Sequence, residues 1–464
     1  DHTHVLGKTL SKIAHQKATT EELGELLNDL GKYAKQLDPD SDDARLIKVS
    51  KRNYDKSIKV PTKWVSEFAK ETTIAQSAWQ KAKPNSDFAS FQPYLEKLVK
   101  LRQQYADYFK PYDHIYDPLL DDFEPGMKTA EVQAIFNELR PKQVELIKTI
   151  SEQPQVDNSF LYLAYPKDGQ LKFGKEIITK FGYDWNRGRQ DLSMHPFTTS
   201  FGLNDVRITT RVRPKFLNTA LFGTMHECGH ALYEQGIDRA LNRTPLADGA
   251  SMAIHESQSR MWENIIGRSY PFWKKFYPRL KEIFSSQLGN VDLDIFYKGI
   301  NRVEPSLIRV EADEATYNLH IMLRLELEIA LMKGSITPKD LPEAWNDKMK
   351  KYLGVVPSND EEGVLQDIHW SSGLFGYFPT YALGNLVSAQ LWEKMQKDNP
   401  DIDKQIEQGN FKDILTWLHE HVHRHGAKFE PQELVKKVTG SKINSGAYIH
   451  YLQRKFGEIY NLEF

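Results

Sequence analysis

The stretch from Phe216 to Tyr233 most limits what this chain can become. Phe216, Leu217, Ala220, Leu221, Phe222, Met225, Ala231, Leu232 and Tyr233 spread apolar side chains nearly all the way round a helical projection, which predicts a helix buried on every side. Three polar residues, His226, Glu227 and His230, interrupt that surface. Burying them without partners is costly, so the fold has to supply either a hydrogen-bonded His/Glu cluster or a metal ion. The ion is the simpler account. His-Glu-x-x-His on one helix sets two imidazoles a turn apart on the same face, and the Glu, about 100° round from the first His, can address a metal-bound water.

The same pattern recurs at His419-Glu420-His421-Val422-His423, in a chain with 15 histidines. Here Phe411, Ile414, Leu415, Leu418 and Val422 fall on one apolar stripe, with Glu420 opposite and His423 well off the stripe, on the water side. That arrangement predicts a solvated amphipathic helix closed by Gly426, whose surface histidines sit near a C-terminus where the helix dipole tolerates them.

A catalytic metal site needs a third protein ligand and leaves the fourth position to water. The metzincin continuation is absent, because Tyr233 stands where its Gly belongs and Gly236 where its third His belongs. Gly236 is expected to end the first helix, and Thr244-Pro245 reads as an N-cap followed by an N1 proline. A helix returning antiparallel from there brings residues 252 to 256 level with His226 and His230, whereas Glu263 would overshoot by about 10 Å. Glu256 is therefore the preferred third ligand. Glu234 lies near the same face, but on the same helix as both histidines, a poor direction for completing a tetrahedron.

Amphipathic helices dominate the rest of the chain, as in Thr20 to Leu37, where Leu23, Leu26, Leu27, Leu30 and Tyr33 recur at helical spacing. The one convincing strand is the β-branched run Val206 to Val212, ended by Pro214. It reads either as an edge strand beside the HExxH helix, able to pair with an extended peptide, or as part of a small structural sheet. With no repeat and no linker, residues 1–464 read as one helical unit. Lys+Arg 61 against Asp+Glu 63 gives a net charge of −2. The interspersed charges argue against nucleic acid and anionic membrane as partners, and no apolar run approaches the roughly 18 residues of a spanning helix. The single cysteine, Cys228, excludes an intramolecular disulfide and fits a reducing, cytoplasmic compartment. On a helix it faces about 200° away from either histidine.

Two further blocks carry polar groups. Ile308-Arg309-Val310-Glu311-Ala312-Asp313 reads as the opening of a helix, with Arg309 either solvated or functional. Gly363 to Tyr381, rich in glycine and aromatics and containing His369, reads as a shaped loop whose Tyr O–H or His N–H donates to a developing oxyanion, or as aromatic packing between helices.

Taken in order, His195-Pro196-Phe197, Asp205-Val206-Arg207-Ile208-Thr209, His226-Glu227-Cys228-Gly229-His230, His255-Glu256-Ser257-Gln258, the Arg309 block and Gly363 through Gln366-Asp367-Ile368-His369-Trp370 resemble the carboxypeptidase Taq family of metallocarboxypeptidases. The resemblance implies a mostly α-helical, elongated protein with a deep substrate groove and a small β-sheet beside the zinc helix, similar to neurolysin and angiotensin-converting enzyme, and a homodimer. It implies one divalent ion per chain, Zn2+ with Co2+ as the alternative, held by His226, His230 and Glu256, with Glu227 as general base. It assigns Arg309 to the substrate's C-terminal carboxylate, and His369 and Tyr381 to substrate or transition-state binding. The activity implied is removal of C-terminal amino acids from peptides with a free carboxylate; an endo-oligopeptidase or dipeptidyl carboxypeptidase with the same zinc site is the alternative. It also implies that the chain lacks a family N-terminal helical segment that helps roof the groove, and it places the second HExxH segment at the periphery.

Overall fold

Helices follow one another from Thr3 to Tyr460, interrupted by a single short sheet. The computed structural model describes residues 3–464, and contacts gather into two units. One comprises residues up to Arg140, Pro305–Ala312 and Thr316–Thr380, the other Pro141–Glu304, Asp313–Ala315 and Tyr381–Phe464. No helix among the described residues is long and apolar enough to cross a membrane.

In the first unit, side-chain caps mark where helices begin. Thr20 accepts from the Leu23 amide, Ser41 from Ala44 and Asp87 from Ser90, each replacing a hydrogen bond that the first turn cannot make for itself. The helix expected from Thr20 to Leu37 runs Glu21–Ala34. Of its apolar stripe, Leu27 is buried while Leu26 and Tyr33 stay exposed. The helix Tyr317–Lys333 is buried on almost every face, including His320, Arg324 and Glu328. Its two buried charged groups are paired: Arg324 bonds Asp367 and Gln366, and Glu328 accepts from Tyr116, Trp370 and the Gly376 amide.

The second unit holds the sheet, with strands β1 (Gln190–Leu192), β2 (Thr198–Ser200) and β3 (Val206–Thr210) in the order β1-β3-β2. β3 runs parallel to β1 and antiparallel to β2. The strand expected at 206–212 is thus shorter, and it is central, not an edge. Its neighbours occupy both of its hydrogen-bonding sides, so the open edges belong to β1 and β2. The HExxH helix, Leu217–Gly236, packs on this sheet and on the helices Lys167–Phe181 and Met252–Arg260. Gly229 permits the last contact, since a Cβ there would fall 2.6 Å from the Ser259 Cα.

Thr244-Pro245 does not start the next helix. The Thr244 hydroxyl accepts from the Leu246 amide in a local turn, and the return helix begins only after Ser251, which caps the Ile254 amide. It then continues as a π-helical segment, Met261–Ile266. Near the C-terminus, the helix Lys412–His421 ends in a kinked turn, His423–Lys428. Gly426 belongs to that turn, at φ 50° and ψ −134°, where a Cβ would collide with the Leu246 carbonyl.

Candidate metal centre

The uninterrupted HExxH helix sets His226 and His230 on one face, with ring centroids 4.9 Å apart. The antiparallel return helix adds Glu256, whose Oε2 lies 3.8 Å from His226 Nε2 and 3.5 Å from His230 Nε2. Among the described residues, these three form the group of His, Cys, Asp or Glu whose ligand atoms all lie within 4.8 Å of one another. Arg260 Nε holds the other Glu256 oxygen at 2.7 Å, which fixes the carboxylate's direction.

Both imidazoles are tied from behind. His226 Nδ1 lies 2.8 Å from Glu263 Oε2, and Glu263 is itself flanked by Arg260 at 3.3 Å and Arg268 at 3.7 Å. His230 Nδ1 lies 2.7 Å from His255 Nδ1, and His255 Nε2 lies 2.8 Å from Glu234 Oε1. Each ring therefore turns Nε2 toward Glu256 while Nδ1 is occupied, the arrangement in which an outer partner fixes ring orientation for an Nε2 metal bond.

Glu263 is a correction to the sequence reading, which places it beyond reach. Starting the helix at Met252 instead of Pro245 removes seven residues of rise, about 10 Å, and that is the expected overshoot. The contact zone runs from His255 to Glu263. Glu234, considered as a ligand, instead accepts from His255.

Glu227 is buried, and its Oε2 accepts from Thr198 Oγ1 on β2 at 2.7 Å. Burial raises its pKa, opposed by His226 and Thr198, and the net direction is upward. His230 is pushed down to about 3, chiefly by burial. Burial lowers His226, but Glu256 and Glu263 outweigh it and leave its pKa raised. Burial also opposes ionisation of Glu263, yet Arg260 and His226 hold it at about 2. Burial likewise pulls His255 down, and Glu234 outweighs it.

The donor set suits a divalent ion. Two imidazole nitrogens and one carboxylate oxygen are the protein ligands of a three-point catalytic zinc site. The charges agree. Glu256 and Glu263 pair with Arg260, and Glu263 also with Arg268, while Glu227 and Glu234 are held by Thr198 and His255 and not by a guanidinium, so the cluster is rich in carboxylates that a dication would offset.

Of the other expected site residues, Arg309 and His369 belong to the first unit and Tyr381 to the second. Arg309 sits in a 3-10 turn, Arg309–Glu311, and not at a helix start, since the following helix begins at Tyr317. It is buried, with Nε and Nη2 at 3.0 and 2.8 Å from Asp367 Oδ1, and Nη1 donates to the Tyr317 hydroxyl at 2.8 Å. Its amide donates to Gln366 Oε1 at 2.9 Å, so two blocks far apart in sequence meet within the first unit. His369 lies 3.9 Å from Asp367, with its ring centroid 4.4 Å from that of Phe378 and 5.5 Å from that of Tyr377. Burial pushes it down to about 3. Tyr381 is half-buried in the first turn of the helix Pro379–Asp398.

Among the described residues, the second HExxH segment gathers no ligand set. Its helix stops at His421 and Val422 turns to φ −128°, ψ −62°, so helical projection fails for His423. Expected on the water side, His423 is fully buried and its Nε2 bonds Gln258 Oε1 at 2.8 Å. His419 and His421 are exposed. Sequence reasoning misses the roles of Thr198, His255 and Glu263. Only His255, adjacent to Glu256, carries a local signal.

A helical fold that presents HExxH against a Glu on the next helix defines a metallopeptidase centre. The model of the carboxypeptidase Taq (M32) metallopeptidase family matches residues 2–456, and the chain belongs to that family. It is 41% identical over 461 residues to thermostable carboxypeptidase 1 of Thermus thermophilus, covering 97% of this chain and 90% of that one. It is 42% identical over 445 residues to carboxypeptidase 1 of Bacillus subtilis, covering 96% and 88%. The crystal structure of the M32 carboxypeptidase from Deinococcus radiodurans R1 superposes with a TM-score of 0.94 at 39% identity, covering 98% of this chain and 91% of that one. The protein is a metallocarboxypeptidase, a peptide hydrolase.

Proposed function

We propose that the enzyme removes single C-terminal amino acids from peptides with a free carboxylate, with Glu227 as general base and His226, His230 and Glu256 as metal ligands. The observation that carries this reading is the convergence of the three ligand atoms beside a buried Glu227 that Thr198 holds in place. When bound, a divalent ion, Zn2+ by the donor set and Co2+ as the alternative, supplies Lewis acidity toward the attacking water and the scissile carbonyl. Glu227 takes the water's proton and later passes it to the leaving amine. Thr198 orients the carboxylate for both transfers. Arg309, oriented by Asp367 and Tyr317, pairs with the substrate's terminal carboxylate, and His369 and Tyr381 contribute to substrate or transition-state binding. Family resemblance extends the proposal to a cytoplasmic homodimer that binds neither nucleic acid nor membrane.

Peptides offered with free and amidated C-termini, read by mass spectrometry, test the reading. Free acids should be shortened one residue at a time and amides spared. Equal cleavage of both would favour an endo-oligopeptidase, and release of dipeptides a dipeptidyl carboxypeptidase. Glu227→Gln should keep the metal and lose at least about 10²-fold in kcat; near-native turnover would remove it from the chemistry.

A further inference from the structure

The two imidazoles of the metal centre reach carboxylates by different routes. His226 meets Glu263 directly, whereas His230 meets Glu234 only through a third imidazole, that of His255. We propose that His255, held by Glu234, is a positioning residue that sets the tautomer and ring orientation in which His230 binds the metal ion. The inference rests on the reading of His230 as a ligand and adds a role for two residues that do not touch the ion.

Hydrogen-bond chemistry gives this chain one direction. A carboxylate only accepts, so the 2.8 Å contact between His255 Nε2 and Glu234 Oε1 places a proton on Nε2. A metal ion on His230 Nε2 leaves that ring's proton on Nδ1, so His255 has to meet it with a lone pair, and binding of the ion selects a neutral His255 even though its pKa, lowered by burial, is raised overall by Glu234. The 2.7 Å contact between the two Nδ1 atoms must contain one proton, and it can only come from His230. His230 is thereby fixed as the Nδ1–H tautomer, with its lone pair at Nε2, the atom 3.5 Å from Glu256. The polarity of the Glu234 carboxylate reaches the ligand through one intervening ring, raising its basicity as a directly bonded carboxylate would.

The surroundings hold His255 in that pose. Its ring centroid lies 5.1 Å from that of Tyr233, whose hydroxyl accepts from the Ala250 amide at 3.0 Å. On another side Gly249 comes so close that a Cβ there would lie 2.9 Å from His255 Cδ2. Ser251, four residues before His255, caps the return helix, so the angle at which the imidazole enters is set by backbone as well as by Glu234.

The test uses the full-length protein and measures Zn2+ affinity by competition with a chromophoric chelator, alongside the melting temperature of the metal-free protein. His255→Phe fills the space without an acceptor and should weaken Zn2+ binding roughly 10- to 100-fold. His255→Gln can offer a side-chain carbonyl oxygen to His230 Nδ1–H and should recover most of that loss. A merely structural His255 would lower the melting temperature of both variants and leave their Zn2+ affinity at the wild-type value, which overturns the proposal. Should His255→Phe not fold, Glu234→Leu and Glu234→Gln take its place: the first loses the acceptor and should bind Zn2+ more weakly, and the second keeps a carbonyl oxygen and should bind near normally. Equal affinity in that pair also overturns the proposal. Failure of the wild-type protein to bind Zn2+ overturns the ligand assignment itself, a different result from wild-type binding that the variants leave unchanged.

Discussion

His226 to His230 lie inside a helix of 20 residues, whereas His419 to His423 straddle the end of one of 10. The first segment keeps its histidines one turn apart because helix continues on both sides of them. In the second, the backbone leaves helical geometry at Val422, and His423 swings inward to Gln258. The pattern of five residues is therefore not the functional unit. A metal centre needs the pattern, an unbroken helix beneath it, and a neighbouring element that supplies a carboxylate and outer partners. The second segment serves the first from behind. The His423 ring centroid lies 5.3 Å from that of Tyr233 on the HExxH helix, and His423 bonds Gln258, two residues beyond Glu256.

The largest difference between the two segments should appear when equivalent histidines are removed. His230→Ala should abolish both bound metal and turnover, while the exposed His419→Ala should change neither, and should shift stability by no more than about 0.5 kcal/mol. Metal analysis of the two purified variants checks this. A drop in bound metal on losing His419 would break the comparison. The next effect separates the segments by their outer partners. Glu263→Leu deprives His226 of its carboxylate and should weaken metal binding roughly 10- to 100-fold; unchanged affinity in a folded Glu263→Leu protein would show that a bare HExxH helix with Glu256 suffices.

His423→Leu sharpens the contrast, because it should cost stability and not metal. Gln258 loses its partner in a buried setting, a loss of about 1–3 kcal/mol, while metal affinity holds. The effect carries a pH signature. Burial, with the nearby His419 and His255, pushes His423 down to about 3, below the ordinary histidine value near 6.5. The unfolded chain therefore binds the proton more readily than the folded one. The folded state's advantage is complete above about pH 6.5 and falls as pH drops, by up to about 1.4 kcal/mol per unit for one group. His423→Leu removes that dependence, so the stability gap between wild type and variant should narrow from pH 7.5 to 5. Urea unfolding at several pH values reads it, and a gap that widens in acid would sink the account.

Much of this centre is legible in the sequence because it depends on local spacing. The apolar run around His226 and His230 announces a buried helix, and the next helix is legible as the source of Glu256, although the chain-length arithmetic behind that choice starts the helix seven residues too early. What escapes depends on backbone that leaves helical geometry. The turn at Thr244 displaces the start of the return helix by seven residues, which turns Glu263 from an unreachable acid into the partner of His226. The break at Val422 buries a histidine that projection places in water. β3 is legible as a strand but not as a central one, because β1 and β2 have only three residues each. Arg309 and Asp367 meet across 58 positions of sequence, a pairing that no local pattern encodes.

The smallest expected effect concerns Cys228, which lies inside the first pattern yet takes no part in the ligand cluster. It is fully buried, and burial pushes its thiol pKa well above the ordinary value, so the reactive thiolate is scarce while the chain is folded. Its position on the helix points it about 200° away from both histidines, toward packing and not toward Glu256. Cys228→Ala should therefore cost stability on the order of 1 kcal/mol through lost packing and leave metal affinity within about threefold, well below the 10-fold floor for removing an outer partner. An alkylating reagent should likewise leave the native enzyme active and label it only when urea opens the fold. If the folded enzyme is labelled and loses its metal, the helix opens at the site far more readily than its burial implies, and the rigidity that separates the first segment from the second is not what distinguishes them.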